Sequence, residues 1–187
     1  MTALPKSDTP PSAPEDELRE LMVLYQAGDA TAVEELVQRL SPSLLGYFMS
    51  PRGSPTDAED LLQECWMRIH RSRHTYRAAE PLLPWIFGIA RHTLLDSHRR
   101  LHRLAALEGL VWEASEQKSS VTAGKSRVPD VLQLLDQLPP SQRDVVLLLK
   151  VSGMSLEEVA RATSSSVGAI KQKAHRAYAR LRDLLGE

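Results

Sequence analysis

The sequence predicts an all-α protein of two small helical domains joined by a flexible linker, the second domain ending in a helix-turn-helix. Three observations predict it. Apolar residues recur at three- and four-residue spacing through most of the chain. No stretch alternates with period two for long enough to make a sheet. A Ser-, Lys- and Gly-rich stretch at 113–127 has no periodicity and separates two periodic blocks. The resulting division is a disordered Pro-rich tail at 1–14, a first domain at 15–103, a linker at 104–129 and a second domain at 130–187.

Helical periodicity begins near Glu15 with Leu18, Leu21, Met22 and Tyr25. Gly28-Asp29 ends that helix and caps the next, which carries Ala32, Val33, Leu36, Val37 and Leu40. Pro42 predicts a break before a short apolar helix around Leu44–Met49, and residues 50–55 read as a loop. Thr56 with Glu59 has the form of a capping box opening a helix to about His70. Its core side is Ala58, Leu62, Cys65, Trp66 and Ile69. Its other side presents Asp57, Asp60 and Glu64 around Leu61. A polar, basic segment with Tyr76 and Arg77 follows. Pro84 suits the first turn of a helix from Trp85 to about Arg103, apolar at Ile86, Ile89, Ala90 and Leu94 and basic at its end.

Order resumes at Asp130 with Val131, Leu134, Leu135 and Leu138. Pro139-Pro140-Ser141 makes a turn and cap before Val145, Val146, Leu149 and Val151. Ser155 with Glu158 is a second capping box, opening a helix with Leu156, Val159 and Ala160 on one face. Ser164, Ser165 and Ser166 interrupt the pattern, because hydroxyls favour turns and N-caps. The last helix then buries Val167, Ile170, Ala174, Ala177, Leu181 and Leu184. At about 100° per residue, Gly168, Lys171, Gln172, His175 and Ala179 point the other way, with Lys173, Arg176 and Arg180 along one flank. From Ser164 to Arg182 there are five Lys or Arg and no acid. Small residues admit a close surface, and the long side chains supply donors for base edges and phosphates, as a helix in a DNA major groove requires.

The formal net charge of −1 conceals segregation. Residues 15–64 hold eleven Asp or Glu against three Arg, whereas 68–103 hold eight Arg against two acids. Such asymmetry implies one basic partner and one anionic partner. The single cysteine, Cys65, rules out an internal disulfide and fits a reducing compartment. No apolar run has membrane-spanning length and the N-terminus has no signal-like apolar segment, so a cytoplasmic protein without membrane insertion is expected. His70 and His74, like His98 and His102, have helical ligand spacing, but both pairs stand among arginines that disfavour a cation. No metal or other cofactor is expected. With no phosphate loop, nucleophile elbow or paired-carboxylate cleft, neither is an enzyme. On residues alone, a plain DNA-binding regulator and an interaction protein whose basic face meets an acidic partner both stay open.

Longer motifs in two blocks narrow this. DAEDLLQE at Asp57–Glu64 resembles the DAEDLxQE core of the extracytoplasmic-function group of bacterial sigma-70 factors, and RHTYRAAEPLLPWIFGIARHTLLDSHRR at Arg73–Arg100 is similar to the stretch that follows it there. LPPSQRDVVLLLKVSGMSLEEVA and SVGAIKQKAHRAYARLR resemble that group's second block. The resemblance implies sigma domains 2 and 4, which bind core RNA polymerase and direct it to promoters under the control of an anti-sigma factor. It implies that Asp57, Asp60, Leu61, Gln63 and Glu64 dock on the polymerase β′ clamp helices, with the β flap as a second polymerase contact. It implies that Tyr76, Arg77, Ala78 and Glu80, with His92, Arg99 and Arg100 on the next helix, meet the −10 element. For the −35 element it implies Ser166, Gly168, Lys171, Gln172, Lys173, His175, Arg176 and Arg180. Holding an unstacked base falls to Tyr76, Arg77 and the backbone of 78–82, while Trp85 and Phe87 read as core. Departures lie in the readers: Ser164 replaces the group's turn glycine, Ala169 a threonine, Gln172-Lys173 a Ser-Arg pair, Tyr178 an arginine and His92 an asparagine.

Overall fold

Residues 15–49, 55–107 and 131–185 are described in the computed structural model; the tail, the loop at 50–54 and most of the linker expected from sequence lie outside them. Among the described residues all regular structure is helical. Four helices come from the N-terminal part: α1 (Glu15–Gln26), α2 (Ala30–Phe48), α3 (Pro55–Ser72) and α4 (Leu82–Leu107), with a single 3-10 turn at Arg73–Thr75. Four come from the C-terminal part: α5 (Val131–Asp136), α6 (Pro140–Lys150), α7 (Leu156–Ala162) and α8 (Val167–Leu185).

Local chemistry sets most boundaries. Gly28 has φ +94°, a left-handed value that ends α1 at little cost to glycine. Asp29 then accepts from the Thr31 and Ala32 amides and caps α2. The Ser155–Glu158 capping box forms with both of its hydrogen bonds.

Four boundaries differ from the sequence reading. α2 does not break at Pro42 but runs through it. An interior proline costs roughly 3 kcal/mol. The continuous helix buries Leu40, Leu44, Tyr47 and Phe48, at roughly 1.5–3 kcal/mol each, which outweighs that cost. α3 begins at Pro55, so Thr56 is inside its first turn and the cap position falls on residue 54, outside the described residues. α4 starts at Leu82, where Leu82 and Leu83 are buried, and continues to Leu107, past the boundary expected at 103. α6 opens on Pro139 and Pro140 without a capping side chain, and Ser141 lies within its first turn. Leu184, expected in the core, is 42% exposed, near the end of α8 and beyond the buried stripe of Ile170, Ala174 and Ala177.

α1 packs on α2 and α3 on α4, while α6 and α7 pack on α8. The two halves also pack on each other, chiefly through α4 and α7. Gly88 of α4 approaches α7, where an added Cβ would lie 3.8 Å from the Ala162 carbonyl oxygen. Gly46 of α2 faces Val151, whose Cγ1 would lie only 2.9 Å from such a Cβ. Buried apolar residues of both halves form one contiguous cluster.

Candidate nucleic-acid interface

The second helix of the helix-turn-helix is positioned by its turn and its buried stripe. Ser164 takes φ +51°, the left-handed conformation that closes the turn. Ser166 Oγ accepts the Ala169 amide at 3.2 Å, so its hydroxyl caps α8. Burial of Ile170, Ala174 and Ala177 fixes the rotation of the helix. Gly168, Lys171, Gln172, His175, Arg176 and Arg180 are consequently exposed, and Lys173 is half-buried. A Cβ added at Gly168 meets nothing within 4 Å, so that face is open to another surface. Among the described residues no side chain hydrogen-bonds to or pairs with Lys171, Gln172, His175 or Arg176, which leaves their donors available.

On α3, Asp57, Asp60, Gln63 and Glu64 are exposed around half-buried Leu61. Sequence reasoning missed two neighbours. Met67, three residues after Glu64 on the same side, is 45% exposed and lengthens the apolar strip; extending the period by one turn finds it. Arg68 binds Glu64 Oε1 through Nε at 2.8 Å and Asp96 Oδ2 through Nη1 at 2.7 Å. It belongs to the acidic face and ties α3 to α4, rather than offering its charge to an anion. Those bonds hold the Asp96 carboxyl below the usual carboxylate range, the Arg68 hydrogen bond first. On the core side Cys65 is fully buried, and burial pushes its thiol up to about 12, so a reactive thiolate does not form there.

Between the 3-10 turn and α4, residues 77–80 form a turn closed by the Glu80 amide on the Arg77 carbonyl at 2.9 Å. Arg77, Ala78 and Glu80 are exposed. Tyr76 is the correction: it is only 4% exposed, its ring packs on Trp85 at 5.5 Å, and its hydroxyl donates to the Glu80 carbonyl at 2.7 Å. The ring braces the loop from inside and is not presented for stacking on a base. Burial pushes its hydroxyl up to about 12, so it stays a donor. Phe87 is fully buried and Trp85 partly so. His92, Arg99 and Arg100 are exposed along α4, where Arg99 lies 3.6 Å from Asp96. The expected residues therefore occupy three separate surfaces, on α3, on the 77–80 turn with α4, and on α8. His70, spaced for a metal with His74, instead shares a 2.8 Å hydrogen bond between its Nδ1 and the Tyr25 hydroxyl.

Comparison with known proteins accounts for most of the chain. Residues 36–104 match the model for Sigma-70 region 2, and residues 130–181 that for Sigma-70, region 4. The chain is 33% identical over 175 residues to the RNA polymerase sigma factor CarQ of Myxococcus xanthus, covering 89% of this chain and 96% of CarQ. It is 31% identical over 166 residues to the ECF RNA polymerase sigma factor SigD of Mycobacterium tuberculosis, covering 84% of this chain and 78% of SigD. Among solved structures it is similar to CnrH in complex with the cytosolic domain of CnrY, with TM-score 0.66 and 25% identity over 90% of this chain and 96% of that one. It is likewise similar to the sigma factor RpoE in complex with the anti-sigma factor NepR from Bartonella quintana, with TM-score 0.68 and 25% identity over 82% and 96%.

Proposed function

We propose a division of labour for this chain, which belongs to the extracytoplasmic-function group of sigma-70 RNA polymerase sigma factors. A sigma factor is the promoter-specificity subunit of the polymerase, and here separate surfaces perform separate parts of that task. The N-terminal block, 15–103, docks on core enzyme through Asp57, Asp60, Leu61, Gln63 and Glu64 and holds the opened −10 strand through Arg77, Ala78 and Glu80. His92, Arg99 and Arg100 meet the adjoining DNA. The C-terminal block, 130–187, reads the −35 duplex through α8. The observation that carries this reading is the charge on the exposed faces: acids around Leu61 on α3, and Gly168, Lys171, Gln172, His175 and Arg176 facing outward together on a capped helix. Acidic and apolar groups suit a basic helical partner, while open donors on a helix suit base edges and phosphates. Because these surfaces bind and do not react, the protein acts without catalysis of its own.

The packed halves cannot serve both promoter elements at once. Elements centred 35 and 10 base pairs upstream are roughly 85 Å apart along the duplex. A compact chain of this length has a radius of gyration of roughly 16 Å, hence a diameter of roughly 40 Å. Initiation thus requires α5–α8 to leave α1–α4, tethered by residues 108–130, which fully extended reach at most roughly 80 Å. Tethering keeps the effective concentration of each reader high, so neither needs high affinity alone. Among the described residues no helix is long and apolar enough to cross a membrane. We place the protein in the cytoplasm with its polymerase. The anti-sigma partner of RpoE in the similar structure supports a small protein regulator for this chain as well.

Run-off transcription with purified core enzyme on genomic DNA, followed by start-site mapping, tests the proposal. Starts should share two upstream motifs about 25 base pairs apart. Failure to form holoenzyme, or starts without shared motifs, would overturn it.

A further inference from the structure

The 77–80 turn is held mostly by a helix far from it in sequence. Gln26, the last residue of α1, donates through Nε2 to the Arg73 carbonyl at 2.6 Å and to the Tyr76 carbonyl at 2.9 Å. Both partners are acceptors, so the amide nitrogen must face them. Glu15, the first residue of α1, accepts the Leu82 amide and so caps α4 where the chain leaves the loop. A 12-residue helix is roughly 18 Å long, so α1 reaches from the entry of the loop to its exit as one strut. The strut has its own anchors: Leu18, Met22 and Tyr25 are buried, and the Tyr25 hydroxyl is bonded to His70. Inside the loop the only braces among the described residues are Tyr76 on the Glu80 carbonyl and the Glu80 amide on the Arg77 carbonyl.

We infer that Gln26 and Glu15 are positioning residues for the −10 strand: α1 fixes both ends of the 77–80 loop, so the loop is ordered before an unstacked base arrives. This rests on the assignment of that loop to the −10 element. The physical reason is entropic. A loop already held in one conformation loses less freedom on capturing a base, so affinity and discrimination both rise. A loose loop can adapt to several bases and distinguishes them less well. The groove between α1 and Ala78 is not itself assigned a ligand. Asp16 and Glu20 outnumber Arg19 along it, and they repel a phosphate backbone.

The test uses holoenzyme reconstituted from the full chain and core polymerase on promoters with a randomised −10 element. Gln26→Met and Glu15→Leu keep reach but lose the donor or acceptor. Gln26→Lys and Glu15→Gln keep one. The first pair should lower the preference for the best −10 base about fivefold to tenfold, as loss of one or two hydrogen bonds implies, and should shorten open-complex lifetime. Hydrogen exchange of residues 76–82 should quicken in both, with −35 preference held, and with core affinity held in Gln26→Met. The second pair should restore most of the preference. An unchanged −10 preference in Gln26→Met and Glu15→Leu, with exchange quickened, overturns the inference. So does an equal loss on all promoters, which is what a merely structural role gives. Should Gln26→Met melt early, Glu15→Leu at the other end of the strut carries the same test. Arg77→Ala with Glu80→Ala separates the two levels. If that change alters −10 preference and the α1 changes do not, the loop assignment stands and the strut fails. If neither does, both fall.

Discussion

The interior of the N-terminal helices and the junction between the halves are built on different terms. In the interior Met22, Leu44, Cys65, Ile69, Leu82 and Phe87 are all fully buried, and the buried Thr93 hydroxyl donates to the Ile89 carbonyl at 2.9 Å. At the junction polar groups meet at long range. Asp144 of α6 lies 3.4 Å from both the Tyr47 hydroxyl and Arg91 Nε. That spacing to Arg91 is an ion pair without hydrogen-bond alignment, and Arg91 Nε remains buried without a hydrogen-bond partner. Ser152 Oγ is left the same way, beside a small cavity it shares with Leu18, Leu40 and Phe87. Glu15 and Glu158 repel across the same boundary. A half-buried ion pair with poor geometry contributes little net, whereas a filled apolar core contributes most of a domain's stability. The halves also share one apolar cluster, so what sets the junction apart from the N-terminal interior is its unpaired polar groups, Arg91 Nε and Ser152 Oγ, which weaken it.

The largest expected effect lies outside the junction. Asp60→Lys with Glu64→Lys reverses the acidic face and should weaken core polymerase binding by about 3 kcal/mol, roughly a hundredfold. Fluorescence anisotropy against core enzyme measures it, and isolated −35 duplex binding serves as control. Unchanged affinity would remove α3 from the docking surface. Next, Lys171→Ala and Arg176→Ala should each cost about 1–3 kcal/mol in initiation at promoters with a matched −35 element, read as abortive product. Equal output from matched and scrambled −35 elements would show that α8 does not read sequence.

The junction itself gives the third. In a Tyr47→Phe background, which leaves no buried hydroxyl without its acceptor, replacing Arg91 by Met together with Asp144 by Leu exchanges a poorly aligned ion pair for apolar contact and should tighten the packed state by about 1–2 kcal/mol. Holoenzyme formation should slow accordingly in stopped-flow mixing. The pH dependence has a definite sign. Burial raises the Asp144 carboxyl above the usual aspartate value, against the opposing pull of Arg91 and Arg143. The packed state therefore favours the neutral form more than a free aspartate does, without abolishing the ion pair. That contribution is present at low pH and is lost as pH rises through the raised value, so small-angle scattering should show the halves parting more as pH rises through it. The double substitution should flatten that dependence. Scattering profiles that respond to pH equally in both proteins would contradict the role of Asp144.

The smallest effect is local. Ser164→Gly relieves a left-handed serine and should stabilise the C-terminal half by about 0.5–1 kcal/mol in chemical denaturation, since the left-handed cost for an L-residue is about 1–2 kcal/mol and glycine gives part back in chain entropy. Loss of stability would mean that the side chain matters to the turn in another way.

What was legible in the sequence was local. The Ser155 box, the Gly28-Asp29 switch, the burial of Cys65 and the outward face of α8 all follow from capping chemistry and a 3.6-residue period. What was not legible depended on distant partners. Pro42 stays inside a helix because the core on both sides of it holds the helix together. An aromatic residue in a basic loop reads as a base stacker, but Tyr76 turns inward because Trp85 and the Glu80 carbonyl receive it. Leu184 continues the apolar period of α8 past the buried stripe. Arg68 counted only as one arginine of the basic 68–103 stretch, and its bonds to Glu64 and Asp96 could not be read from it. The junction left no local trace, since Tyr47 and Asp144 stand 97 residues apart.

The separation of the halves is the point on which the account turns, and energy transfer between two labels measures it. Gln38→Cys on α2 and Asp183→Cys on α8 are exposed positions outside the proposed contacts, and buried Cys65 will not compete for the dye. The free protein should show high transfer. Addition of core polymerase and promoter should reduce it to the level of dyes many tens of ångströms apart. High transfer in a complex that is actively initiating would contradict the account.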